Sequence, residues 1–351
     1  MKINKKTNDY LKTLNRLNVS SEIFSPSNTL TYISVFCGGG GLDLGFASAG
    51  FRPLFSSDIV STYCETIKNN LPHHVVEQHD ISELNGRMVK DKVGQNVSIV
   101  IGGPPCQSFS ILGSRKSIND PRGKLVFEYA RFIDEVKPAA FLFENVPGIL
   151  SVNKGKDWET LLDYFKEKTG YYIKWNKLNS VWYGVPQLRQ RVIAIGFRNK
   201  SDFDEFNWPT QLHSESPNDS DLLDPVPSKY ALENITNCHN HVLRVHSQPI
   251  IDRYTLVAQG ERDKKDRTDR IDENKPSGTI LVGSSAGGGR PFIHPIEHRH
   301  ITVREAARLQ SFPDWWKFEG GSTASYRQVG NAVPPIMAQQ IALQIKKVIN
   351  K

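Results

Sequence analysis

Gly102-Gly103-Pro104-Pro105-Cys106-Gln107-Ser108-Phe109-Ser110 follows an apolar run over residues 97–101, Val-Ser-Ile-Val-Ile. A run of that length and composition reads as a buried parallel strand. Open α/β sheets place their chemistry just beyond the carboxyl ends of such strands, and Cys106 stands there. The two glycines permit a tight turn and the two prolines stiffen the approach. Taken alone, the loop supports two readings: a positioned thiol nucleophile, or a small buried core cysteine.

Three further strand ends break the tie. Tyr32-Ile33-Ser34-Val35-Phe36 reads as a short strand and runs into Cys37-Gly38-Gly39-Gly40-Gly41-Leu42-Asp43. Strand, glycine turn and helix start is the layout that cradles a nucleotide-like ligand on backbone N–H groups. Phe141-Leu142-Phe143 leads into Glu144-Asn145-Val146-Pro147-Gly148, a strand with a carboxylate at its end. Gln187-Leu188-Arg189-Gln190-Arg191 precedes the strand-like Val192-Ile193-Ala194-Ile195.

These four segments, in this order, resemble the motifs of the DNA (cytosine-5) methyltransferases. Arg304-Glu305-Ala306-Ala307-Arg308-Leu309-Gln310-Ser311-Phe312-Pro313 and Gln328-Val329-Gly330-Asn331-Ala332-Val333-Pro334-Pro335 are similar to the family's last two large motifs. The resemblance runs from about residue 30 to the C-terminus. It implies an α/β fold: a Rossmann-like, S-adenosylmethionine-dependent methyltransferase sheet with a smaller target-recognition domain. It also implies a bacterial type II modification enzyme that transfers a methyl group to C5 of a cytosine flipped out of a short duplex DNA sequence. The expected partners are double-stranded DNA and a cognate restriction endonuclease, and the expected state is a monomer. An RNA cytosine-5 methyltransferase and a catalytically silent DNA-binding relative are the alternatives.

The resemblance also assigns roles. Cys106 adds to C6 of the base, Glu144 meets N3 and N4, Arg191 holds O2, and Arg189 supports Arg191 or grips phosphate. S-adenosylmethionine falls to Phe36, the 38–41 turn (Gly38, Gly39, Gly40 and Gly41), Leu42, Asp58, Ile59, Asp80, Ile81, Pro104, Asn331 and Ala332. Asp58 ends the strand-like Pro53-Leu54-Phe55-Ser56-Ser57, about twenty residues past the glycines, where an acid accepts ribose hydroxyls in related folds. The family often has Glu at that place. Asp58 and Asp80 could also serve as helix N-caps. A cysteine hydrolase is disfavoured because no histidine lies beside a matching motif.

Composition agrees with this reading. The chain has 351 residues, enough for a large core, and a formal net charge of +7 that favours a polyanion partner. Its four cysteines show no Cys-x-x-Cys spacing, so neither a zinc site nor a disulfide frame is indicated. His294, His298 and His300 lack the pattern of a metal centre and read as surface histidines near DNA or a turn. No apolar run approaches a membrane span and no signal-peptide core opens the chain, so a cytoplasmic enzyme is expected.

The charge map suggests an organisation. Residues 1–29 are basic and read as a loose arm with a short helix over 8–17. Residues 30–198 alternate strand-like and helix-like stretches, among them helices over 123–136 and 157–168, and predict a βαβ parallel sheet and the catalytic domain. Residues 199–321 read as the target-recognition domain, and 322–351 as a segment whose helix packs back on the catalytic domain. Thr302 and Glu305 predict a helix start there. The polar stretch after Cys106, to Lys124, reads as a mobile loop closing over DNA, with Gln107, Ser110, Arg115 and Arg122 as contacts. Six cations and no acid over 171–200 suggest a phosphate-facing surface. Residues 200–275 hold ten Lys and Arg against fifteen Asp and Glu, a net of −5, so reading there falls to a few placed side chains. Arg244, Arg253 and Arg290 are the candidates, arginine being most apt for guanine.

Overall fold

Runs such as Ile99-Val100-Ile101 carry no polar face, and the structure shows why. They lie in a sheet covered on both sides. The computed structural model describes residues 5–27, 30–105, 121–217, 221–282 and 291–349. Its strands are β1 (Thr31–Val35), β2 (Arg52–Asp58), β3 (Val75–Gln78), β4 (Ile99–Gly102), β5 (Ala140–Asn145), β6 (Tyr172–Asn179) and β7 (Gln190–Phe197). They form one sheet in the order β3-β2-β1-β4-β5-β7-β6. Strands β1 to β5 pair in parallel, whereas β7 runs antiparallel to both β5 and β6.

Helices α1 (Lys5–Asn15), α2 (Gly41–Ser48), α3 (Ser61–Asn70), α4 (Gly86–Val93), α5 (Pro121–Val136) and α6 (Lys156–Thr169) belong to the first half of the chain. The second half adds α7 (Lys200–Glu205), α8 (Lys229–Leu232), α9 (Gln248–Thr255), α10 (Val303–Leu309), α11 (Ser322–Asn331) and α12 (Pro335–Ile349). Side chains of the sheet alternate between two cores. Tyr32, Ile99, Ile101 and Leu142 join residues of α2, α10 and α12 on one face. Ile33, Val35, Val100 and Phe143 join residues of α4, α5 and α6 on the other.

Three expectations change here. The sheet is mixed: β6 and β7 are joined by about ten residues, too few for the crossover that a parallel pair needs. The opening segment is no loose arm. Tyr10, Leu14 and Leu17 are buried, α1 packs against α8, and the Tyr10 hydroxyl donates to the Arg308 carbonyl at 2.6 Å. The six cations of 171–200 do not form one free surface, since Arg189 and Arg191 are buried. Lys174 lies over the Phe203 ring and donates to the Phe206 carbonyl, Arg198 donates to the Lys137 carbonyl, and Lys200 pairs with Asp204.

The closing helix holds the first half together. α12 packs on α2, and Lys346 Nζ donates to the Ala49 carbonyl at 3.1 Å. α10 starts on a capping box in which Thr302 Oγ1 accepts from the Glu305 amide and Glu305 Oε2 accepts from the Thr302 amide.

Candidate active site

Strand register decides what meets. Val35, Ser57, Gly102 and Phe143 lie level across β2, β1, β4 and β5. The next residues, Phe36, Asp58, Gly103 and Glu144, therefore come together at one edge, Asp58 and Glu144 still within their strands. Because β7 is antiparallel, its first residues, Gln190 and Arg191, reach that same edge. A cavity of about 510 Å³ opens there. Phe36, Gly38, Gly39, Gly41, Leu42, Asp58, Ile59, Asp80, Ile81, Pro104, Asn331 and Ala332 line it, and so do Glu144 and Arg191.

One end of the cavity is built on the glycine turn. Phe36 takes a left-handed backbone, φ 56°, to leave β1, and its ring meets Tyr129 edge-on. The Cys37 amide donates to the Ser57 carbonyl at 3.1 Å, and the Gly38 amide to Asp58 Oδ2 at 3.0 Å. Asp58 Oδ1 accepts from the Val60 amide, also at 3.0 Å. Burial raises the Asp58 carboxyl above its ordinary range, against the pull of the Val60 and Gly38 amides. Each oxygen keeps further acceptor capacity towards the cavity. Asp58 is thus no helix N-cap, since Val60 holds that place on α3. Asp80 accepts from the Ser82 amide and hydroxyl in its own turn.

The glycines also serve packing. A Cβ on Gly41 would stand 2.0 Å from the Val333 carbonyl oxygen, and one on Gly39 would stand 2.7 Å from that of Gln328. Segment 328–333 is thereby pressed against the turn and forms a wall of the cavity. Gly40 departs from the expected role. It is absent from the cavity wall, and a Cβ there would strike the Trp316 ring at 2.4 Å. Trp316 Nε1 donates to the Gly39 carbonyl. Nothing in the residue pattern pointed to Trp316, which lies 277 positions away.

The other end carries Glu144 and Arg191. Glu144 Oε1 and Arg191 Nε stand 2.7 Å apart, and both side chains are nearly buried. Burial raises the Glu144 carboxyl, with Arg191 and then Arg189 opposing. A Cβ on Gly103 would come within 2.6 Å of Glu144 Oε2, so only glycine admits the carboxylate. Asn145, which sequence reasoning left without a role, donates from Nδ2 to the Pro104 carbonyl at 3.0 Å. It ties the Pro104-Pro105 turn, and hence the approach to Cys106, to the end of β5. Its place beside Glu144 was the available signal.

Arg189 is corrected. It is fully buried and donates to the carbonyls of Gly330, at 2.6 Å, and Ile280. It cannot grip phosphate; its charge reaches the site through Glu144. Gln187 is equally buried and bonds Gln310, whose Nε2 donates to the Val329 and Ala332 carbonyls. These amides link the approach to β7 with the wall of the cavity.

The recognition candidates divide. Arg244 is exposed. Arg253 is not available as expected, because Asp263 and Asp266 both hold its guanidinium. Arg270 is buried against the carbonyls of Tyr254, His294 and Pro295. Of the three histidines, His298 is exposed as expected, whereas His294 is buried and accepts the Glu297 amide, and His300 meets the Tyr254 hydroxyl at 2.7 Å. Among the described residues no cluster of three metal-ligating side chains occurs, and no helix is long and apolar enough to cross a membrane. Cys106, Gln107, Ser110, Arg115 and Arg290 lie outside the described residues; Arg122 falls on α5, its side chain outside them.

Comparison with known proteins follows the same geometry. The sequence profile of the C-5 cytosine-specific DNA methylases matches residues 30–347. The Type II methyltransferase M1.HphI of Haemophilus parahaemolyticus is 37% identical over 335 residues, covering 91% of this chain and 87% of its own. M.NgoFVII of Neisseria gonorrhoeae, also a Type II methyltransferase, is 35% identical, covering 93% and 88%. A crystal structure described as a prophage-encoded DNA modification methyltransferase of E. coli superimposes with a TM-score of 0.76 at 29% identity, over 92% of this chain and all of the other. The Dnmt2 methyltransferase of S. pombe shares the fold, with a TM-score of 0.66 at 17% identity over 92% of this chain and all of the other. The chain belongs to the C-5 cytosine-specific DNA methylase family and is a DNA cytosine-5 methyltransferase.

Proposed function

We propose that this enzyme methylates C5 of a cytosine flipped out of a specific short duplex sequence, as the modification half of a restriction-modification system. A cognate endonuclease is its functional partner, the monomer its working state, and the cytoplasm its compartment. The observation that carries this reading is one cavity with a nucleotide-type cradle at one end and a buried carboxylate–guanidinium pair at the other. Pro104 and Pro105, which precede Cys106 in the sequence, also line that cavity.

The residues at the first end fit S-adenosylmethionine. The Gly39 and Gly41 amides suit its carboxylate, Asp58 suits the ribose hydroxyls, and Ile59, Asp80 and Ile81 suit the adenine. When bound, that cofactor supplies an electrophilic methyl group. The chain does the rest. A base in the duplex lies beyond reach, so it is extruded at a cost of a few kcal/mol. The Cys106 thiolate bonds to C6, which turns C5 into an enamine-like nucleophile. Glu144, whose burial favours the proton, holds it at N3, and Arg191 bonds O2 as charge develops. Loss of the C5 proton to a base, for which water suffices, then expels the thiolate.

The test is transfer of labelled methyl groups by the purified enzyme. Label in duplex DNA and none in tRNA is expected. Label in tRNA alone would give the RNA reading precedence, and duplex binding with no transfer would reduce the chain to a binding protein. Base-resolution sequencing of methylated plasmid names the recognition sequence.

A further inference from the structure

Asp43 is fully buried in the first turn of α2, two residues past the glycine turn, and no step above uses it. Its Oδ2 accepts from Ser34 Oγ at 3.0 Å and its Oδ1 from Ser56 Oγ at 3.1 Å. Ser34 and Ser56 are register partners on β1 and β2, so two hydroxyls stand side by side on one face of the sheet. His74 Nε2 lies 3.1 Å from Ser56 Oγ. Ser56 spends its one hydrogen on Asp43, so His74 donates, and the chain of bonds has a single direction. Tyr32, on the same face, donates its hydroxyl to the Asp43 carbonyl at 3.3 Å.

An apolar residue at this place could pack without the desolvation cost of a carboxylate. What a carboxylate adds is direction. α2 is pressed from behind by α12, where Gly45 meets Ala338 too closely for any side chain. Apolar contacts alone leave such a helix free to slide or rotate by a fraction of an ångström. Two bonds to adjacent strands do not. The same two strands carry Phe36 and Asp58 at their ends, so the turn, the aromatic ring and the acid are held in one frame.

We propose that Asp43 is a positioning residue for the methyl donor: through Ser34 and Ser56 it fixes α2 against β1 and β2 and aims the amides of the 38–41 turn. The inference rests on the reading of that turn as the donor's cradle. Small misplacements of such groups are expensive in binding and rate.

The experiment measures the affinity of S-adenosylmethionine by calorimetry, together with KM for the donor and kcat, in the full-length enzyme. Wild type binds the donor. Asp43→Ala raises Kd and donor KM at least tenfold, while kcat at saturating donor and DNA affinity stay within about threefold. Asp43→Asn, which keeps a polar group of the same shape, recovers most of the loss. If Asp43→Ala does not fold, the Ser34→Ala/Ser56→Ala double variant removes the same bonds and gives the same split. Wild-type enzyme that ignores the donor would overturn the cradle reading and this inference with it. Wild-type binding with unchanged donor affinity in a folded Asp43→Ala or double variant, or a fall in kcat at unchanged KM, would overturn the positioning role alone.

Discussion

The sheet edge and residues 199–301 use charge in opposite ways. At the edge, Asp58, Glu144 and Arg191 are held by a few partners and still face a cavity. In residues 199–301 most of the described arginines are already paired, Arg262 at the surface. Arg253 pairs with Asp263 and Asp266, Arg262 with Asp269, Arg299 with Glu297, and Arg270 with backbone carbonyls. Arg299 further binds Glu305 of α10. The acidic balance of that stretch is therefore largely internal cement. Regular strands can aim a side chain by register alone, whereas a region of turns spends its charged groups on holding its own shape.

The largest expected effect breaks the sheet-edge half of this contrast. Glu144→Gln keeps the shape and removes the titrating proton; kcat falls on the order of 10²–10⁴-fold while DNA affinity holds, as single-turnover kinetics and filter binding would show. Unchanged kcat would strip Glu144 of its role.

Asp43 sharpens the contrast through pH. Its carboxyl is pushed up to about 7 by burial, against the Ser34 and Ser56 bonds. The native state keeps the proton that the unfolded chain loses near pH 4, so stability is full below that pH and declines as pH rises towards 7 and beyond. Asp43→Asn carries no such loss. Its stability relative to wild type climbs between pH 5 and 8 by at most roughly 2.5 kcal/mol in urea titrations. A difference independent of pH would contradict this.

Gly41→Ala comes next. The added methyl meets the Val333 carbonyl and lowers stability by about 1–3 kcal/mol. Donor affinity drops with it, and wild-type affinity in calorimetry would refute the close-approach argument. The smallest effect is in residues 199–301. Arg253→Ala leaves the salt dependence of DNA binding nearly unchanged, because that charge is already neutralised, whereas Arg244→Ala reduces the slope by about 1 if Arg244 meets phosphate. A reversed order of the two would show that the Arg253 pairs open on DNA.

Local pattern made much of the sheet edge legible. Glycines after an apolar strand, a carboxylate ending Phe-Leu-Phe and arginines before a β-branched run each fix their own place. What it hid were contacts made across hundreds of residues. Gly40 reads as one more cradle glycine until Trp316 is seen against it. Arg189 shares a motif with Arg191, but it stands before β7 and reaches the Gly330 carbonyl, whereas Arg191 lies in the strand and meets Glu144. The direction of β7 follows from the length of its connection, and β6 carried no strand signal because half its residues are polar. Tyr10 and Leu14 of α1, and Leu17 just beyond it, were outvoted by surrounding lysines, although helical spacing already put them on one face.

The most direct measurement is covalent capture. A duplex carrying 5-fluorocytosine at the target position, incubated with enzyme and methyl donor, cannot lose its C5 substituent as a proton. A stable protein–DNA adduct mapping to the Cys106 peptide, and lost in Cys106→Ser, is the predicted result. No adduct at that cysteine under conditions where unmodified DNA is methylated would contradict the account.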